Sequence, residues 1–150
     1  VKLVLIGSTV LPIPAHPDVR YLGVLPEEDK FDGLAGAELL LMPSFYESLS
    51  MVTLEAWALG KPVLANAHCE VLAGQCRRSN GGLYYGTYAE FHEALDLLLD
   101  DAALREALGR NGLAYYNGNY TWEVIEGKYL EVINRLEEEN RCRSTSSPRP

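Results

Sequence analysis

At 150 residues and 47% hydrophobic content, the chain has enough apolar material for one globular domain with its own core. A formal net charge of -8 argues against binding a phosphate backbone, so nucleic acid is not expected as a partner. No apolar run approaches the roughly 20 residues that cross a bilayer, and the first segment is too short for a signal peptide and has no basic lead, which points to a soluble, cytoplasmic protein.

Short apolar runs alternate with helical patterns from the start of the chain. Val1 to Ile6, Val19 to Leu22, Leu39 to Met42, Val63 to Ala65 and Leu83 to Tyr85 are each bounded by Gly, Pro or polar breakers and are predicted as strands. Pro26 opens one helix. Ser50 to Leu59 forms another that stops at Gly60, with Pro62 beyond. This rhythm specifies βαβ units and an α/β fold, a Rossmann-like parallel sheet flanked by helices.

The last third changes character. Thr87 and Glu90 make a capping-box pair ahead of Tyr88, Phe91, Leu95 and Leu98 at helical spacing. A second helix begins near Asp101, and a third runs from about Thr121 with Val124, Tyr129, Val132 and Leu136 expected to face inward. Tyr84, Tyr85, Tyr88, Tyr115, Tyr116 and Trp122 are expected to pack between these helices and the sheet. Residues 1–139 are read as the domain. Asn140 to Pro150, rich in Arg, Ser and Pro, are read as an unstructured tail or an appended remnant. The chain begins at Val1, and its only methionines are Met42 and Met51, so it is read as a piece of a longer protein.

Cys69, Cys76 and Cys142 form an odd set with no secretory feature, which favours free thiols over a disulfide framework. Cys69, Cys76 and the adjacent His68 do not have zinc-site spacing. His16 and His92 read as solvated, His68 as a plain loop residue ahead of its other reading as a border of a crevice, and Arg77 with Arg78 as a loop pair without an assigned role. No Ser-His-Asp, Cys-His or metal constellation is visible.

The segment that carries chemistry is Leu39 to Ala65, LLLMPSFYESLSMVTLEAWALGKPVLA: a strand, a Pro43-Ser44 loop, Glu47, small polar residues and a helix. In open parallel sheets, ligands bind beyond the carboxyl ends of the strands, where free N–H groups and the helix dipole favour an anion such as phosphate. Glu47 lies at or before the helix start and Glu55 within it, at most about 12 Å apart at helical rise and farther if Glu47 is extended. Two carboxylates flanking a phosphate site suit a ligand with hydroxyls at both ends and a diphosphate between. Each also has a plainer reading, Glu47 as a dipole-favoured acid and Glu55 as a surface helix residue. Glu55 sits among Met51, Val52, Leu54, Ala56 and Trp57, where an ionised group needs a partner, and a ligand would supply one.

The spacing Glu47-x7-Glu55 within this segment resembles the E-x7-E donor signature of retaining group 1 (family 4) glycosyltransferases of the GT-B fold. VRYLG at Val19 to Gly23, NGGLYY at Asn80 to Tyr85, LLLDDAALREALG at Leu97 to Gly109 and YTWEVIEGKYLEVI at Tyr120 to Ile133 are similar to the same family's carboxyl-terminal domain. The resemblance implies that Glu47 contacts and orients the donor sugar at the catalytic centre, without acting as a nucleophile. It implies that Ser48 and the backbone amides of Leu49, Ser50, Met51 and Val52 meet sugar and diphosphate, that Glu55 holds the ribose, and that Leu25 borders the nucleobase. It further implies a nucleoside-diphosphate hexose as donor substrate, no cofactor and no metal. A partner amino-terminal domain would bind the acceptor, and this piece would be inactive alone.

Three departures from the family pattern stand out. Ser48 and Ser50 replace glycines common after the first glutamate, Glu38 replaces an aspartate opening the third strand, and the basic pair that clamps the diphosphate would lie upstream of Val1. The alternative function is a non-catalytic Rossmann-like module that binds a nucleotide or a protein partner. A dinucleotide oxidoreductase is disfavoured because no G-x-G-x-x-G occurs.

Overall fold

The structure, a computed structural model, describes residues 1–145, with side chains described through Arg141. In chain order the elements are β1 (Leu3–Ile6), β2 (Val19–Gly23), α1 (Glu27–Ala35), β3 (Leu40–Met42), α2 (Met51–Ala58), β4 (Val63–Asn66), α3 (Glu70–Ser79), β5 (Gly82–Tyr85), α4 (Tyr88–Asp100), α5 (Ala102–Asn119) and α6 (Trp122–Thr145). All five expected strands are present, shifted by a residue or two at their ends. The tail boundary is different: α6 carries its helix through Asn140 to Thr145, and residues 146–150 lie outside the described residues.

Every strand pairing is parallel, but the strands form two sheets, β1-β2 and β3-β4-β5, instead of one. In open parallel sheets ligands bind beyond the carboxyl ends of the strands, the end at which the β3–α2 connection lies. The β1-to-β2 connection contains Pro12, Pro14 and Pro17 and forms no helix, as expected for a run that lacks N–H donors.

The three-stranded sheet is buried on both faces, the condition that parallel sheets require. Along β4, Val63 and Ala65 point into a core made by α2 and α3 with Leu54, Trp57, Leu72 and Cys76. Leu64 points the other way, onto Leu98 and Leu108. This alternation is the two-residue period of a strand. Trp57 is fully buried; its Nε1 donates to the Gly81 carbonyl at 2.8 Å, and Tyr115 of α5 packs edge-on against its ring. α5 can lie this close because Gly112 faces the indole and Gly109 faces the Gly60 carbonyl, where any Cβ would collide.

The helix caps follow the sequence closely. Thr87 and Glu90 form the full capping box of α4, and the Asp101 carboxylate accepts from the Leu104 N–H at the start of α5. Glu38 has a structural partner: Arg105 Nη2 lies 3.0 Å from its carboxylate, and Arg105 Nη1 donates to the carbonyls of Leu98 and Leu99. The entry to β3 is thereby tied to the α4–α5 junction.

Three expectations fail. Residues 70–79 form helix α3, so Arg77 and Arg78 occupy its last turn instead of a loop. On α6, Val124 is half-buried, but Tyr129, Val132 and Leu136 are exposed, because the helix leaves the domain after its first turns and no described element covers it. Of the aromatic set, Tyr85, Tyr115 and Tyr116 pack against the core, whereas Tyr84, Tyr88 and Trp122 are exposed. Among the described residues no helix is long and apolar enough to cross a membrane.

Candidate functional site

The β3–α2 connection, residues 43–50, leaves the carboxyl end of β3 and runs without regular structure to Ser50. Ser50 is the N-cap of α2, yet it stands in the left-handed region at φ 58, and its side chain makes no cap bond. Its hydroxyl instead pairs with that of Thr53 at 2.9 Å. A non-glycine residue held at positive φ costs about 1–3 kcal/mol and is retained only where the surroundings enforce it. The Thr53 N–H donates to the Ser50 carbonyl at 3.1 Å, whereas the N–H groups of Met51 and Val52 have no intrahelical partner, and no side chain caps them. α4 and α5, by contrast, have their first turns capped by side chains.

Glu47 is half-buried in this connection, and its carboxylate has no hydrogen-bond or ion-pair partner among the described residues. It lines a shallow cavity of ≈ 520 Å³ formed by Phe45, Tyr46 and Ser48 on one side and by His68, Cys69, Glu70 and Val71 on the other. Phe45 stacks on the His68 ring with an interplanar angle of 15°, and His68 Nε2 is 2.8 Å from the Gly86 carbonyl. His68 is therefore a wall of the cavity that contains Glu47, the second of the two readings that its place after a strand end allows. Asn66, at the end of β4, was missed. Its Nδ2 donates to the Pro43 carbonyl at 3.1 Å, and its Oδ1 accepts from the His68 N–H at 3.0 Å, so one side chain joins the two loops of the cavity.

Glu55 lies in the second turn of α2 with its side chain 19% exposed. Its partner is not left to a ligand: Lys30 Nζ, from α1, sits 2.9 Å from Glu55 Oε1. The same ammonium lies 4.6 Å from the centre of the Phe31 ring. The site thus has a cation that the sequence did not reveal, since Lys30 is 25 positions away and only α1–α2 packing brings it in. Leu25 is half-buried in the short link from β2 to α1, next to Pro26, the N-cap of that helix. Leu49, Met51 and Ser48 are exposed, Val52 is half-buried, and Ser50 is 5% exposed.

The other chemistry-bearing residues are structural. His16 Nδ1 accepts from the Asp18 N–H, and exposed His92 pairs with Asp96 at 3.1 Å. Cys69 and Cys76 are free and buried; the side chain of Cys142 lies outside the described residues. Burial pushes the Cys76 thiol up to about 11, against a smaller opposing effect of Arg77, so it is a packed neutral group. Among the described residues, no group of three or more His, Cys, Asp or Glu side chains is placed to hold a metal ion.

A family model described as glycosyl transferases group 1 matches residues 14–114. The chain belongs to the group 1 glycosyl transferases. This glycosyl transferase chain is 30% identical, over 127 residues, to a D-inositol 3-phosphate glycosyltransferase of Nocardioides sp., covering 83% of this chain and 27% of that protein. It is 29% identical, over 124 residues, to a GDP-mannose-dependent monoacylated alpha-(1-6)-phosphatidylinositol monomannoside mannosyltransferase of Corynebacterium glutamicum, covering 77% and 32% respectively. Among solved structures, the sucrose-phosphate synthase of Thermosynechococcus elongatus superposes with a TM-score of 0.70 at 26% identity, over 81% of this chain and 31% of that one. The chain therefore spans about three tenths of the length of the relatives it matches. The likeness bears out the expected family and the α/β fold with parallel strands flanked by helices.

Proposed function

We propose that this chain is the donor-binding half of a retaining hexosyltransferase that takes its sugar from a nucleoside diphosphate. The observation that carries this reading is the uncapped first turn of α2, set between the unpartnered Glu47 carboxylate and the Lys30-held carboxylate of Glu55. A diphosphate placed at Met51 and Val52 receives N–H donors and the positive end of the helix dipole. Glu47 and Ser48 then meet the sugar hydroxyls with the Leu49 amide, the Ser50 amide faces the diphosphate, Glu55 accepts from the ribose, and Leu25 borders the base. Lys30 bonds Oε1 of Glu55, which orients the carboxylate, leaves Oε2 for the ribose and adds positive charge beside the phosphates.

In this reading the chain supplies positioning and stabilisation of the departing diphosphate, and Glu47 orients the sugar without forming a bond to it. The acceptor and its binding surface belong in this reading to the remainder of the enzyme, since the chain spans about three tenths of the relatives' length. Family membership favours a nucleotide sugar as donor; no metal or separate cofactor enters the reading.

The test is titration of UDP-, GDP- and ADP-sugars, followed by calorimetry and by amide resonances of residues 47–55. One of the three should shift those resonances, and both Glu55→Ala and Lys30→Met should weaken its binding by about tenfold, the effect of losing one charge-assisted hydrogen bond. If no nucleotide sugar moves the segment at millimolar concentration, the donor reading is wrong.

A further inference from the structure

Gln75, on α3, is only 1% exposed and belongs to neither of the motifs above. Its Nε2 donates to the Leu49 carbonyl at 2.7 Å, across 26 residues. Its Oε1 has no hydrogen-bond partner among the described residues. An unpaired buried acceptor is destabilising, whereas an apolar side chain of the same shape would be nearly neutral there. Core packing alone does not account for a glutamine at this position.

The bond to Leu49 accounts for it. In a trans peptide the carbonyl and the following N–H point in opposite directions. With the Leu49 carbonyl drawn toward Gln75, the Ser50 N–H must point away from α3, out of the core. The same peptide plane sets φ of Ser50 at 58, in the left-handed region that a serine leaves when free to do so. Rotation of the plane would return Ser50 to negative φ and turn its N–H inward.

We propose that Gln75 is a positioning residue for the donor: it locks the Leu49–Ser50 peptide so that the Ser50 N–H joins those of Met51 and Val52 in facing the diphosphate. This inference rests on the donor reading above. Gln75 does not touch the ligand; it acts only through the Leu49 carbonyl.

The test titrates GDP and UDP into the parent chain and into Gln75→Met, which keeps the volume and removes the bond. Gln75→Met should bind about five- to tenfold more weakly, the value of one hydrogen bond. Its melting temperature should be equal or higher, because the unpaired Oε1 goes too. A merely structural glutamine would show the reverse, lower stability with parental affinity, and that result overturns the proposal. A measurement on the parent guards against misfolding of the variant. The Ser50 amide should exchange rapidly without ligand and become protected with GDP or UDP; protection of the free protein at that amide overturns the proposal. If neither nucleotide shifts any parental resonance, the donor reading falls and this inference with it. If the parent binds, Glu55→Ala weakens binding and Gln75→Met does not, only the positioning role falls.

Discussion

The two sheets of this chain are built from similar residues and meet different fates. β4 is sealed on both faces, with Val63, Leu64 and Ala65 fully buried between α2–α3 and α4–α5. In the β1-β2 sheet, Leu3, Val4, Ile6, Tyr21 and Leu22 are all exposed. Both are parallel ladders, β1-β2 with one register shift between Leu5 and Ile6 and β3-β4-β5 with none, so pairing by itself does not account for the contrast in burial. The difference lies in cover: a parallel strand is stabilised by what packs on its faces, and only the larger sheet has helices on both. The candidate site joins the two halves. Glu47, Gln75 and the α2 terminus stand on the packed half, while Leu25 and Lys30 come from the thinly covered one, and the Lys30–Glu55 pair bridges them.

The largest expected effect tests where the stability resides. Trp57→Ala, which empties the centre of the packed half, should cost about 3–5 kcal/mol in urea unfolding. Val4→Ala, on the exposed sheet, should stay within about 0.5 kcal/mol. Equal costs would mean that the two sheets share one core. Next comes the close approach of α5: Gly112→Ala places a methyl on the indole and should cost about 1–3 kcal/mol, visible as a lower melting temperature. A parental melting temperature would show that the α2–α5 gap can widen freely.

The smallest effect is in the pH dependence. The Cys76 thiol is raised from 9.0 to about 11 by burial, so the folded chain keeps a proton that the unfolded chain releases. That contribution is complete below pH 9.0 and is lost as pH rises toward about 11. Melting curves across that window should fall by a few degrees less for Cys76→Ala than for the parent. Identical slopes would place the thiol in contact with water.

Much of the fold was legible because its signals are local. Thr87 and Glu90 are three residues apart and cap a helix wherever it packs; the Gly60–Lys61–Pro62 stop likewise needs no tertiary partner. α3 was missed because its signals are weak: its N-cap Cys69 offers no side-chain bond, and Gly74 interrupts the apolar stripe. The outward face of α6 was misread for a different reason. Val132 and Leu136 have core-facing periodicity, but periodicity does not show whether anything stands opposite.

The sequence by itself determined the alternation of strands and helices, the loop beyond β3 and the eight-residue step from Glu47 to Glu55, all of which depend on neighbours along the chain. Only the tertiary structure decided which groups meet there. It pairs Glu55 with Lys30 and turns the Leu49 carbonyl toward Gln75. It also sets His68 across from Glu47 and divides the strands into a covered and an uncovered sheet. These contacts join residues 20 or more positions apart, and hydrogen bonding and burial at that range are fixed by how helices pack on the sheet, which no local pattern encodes.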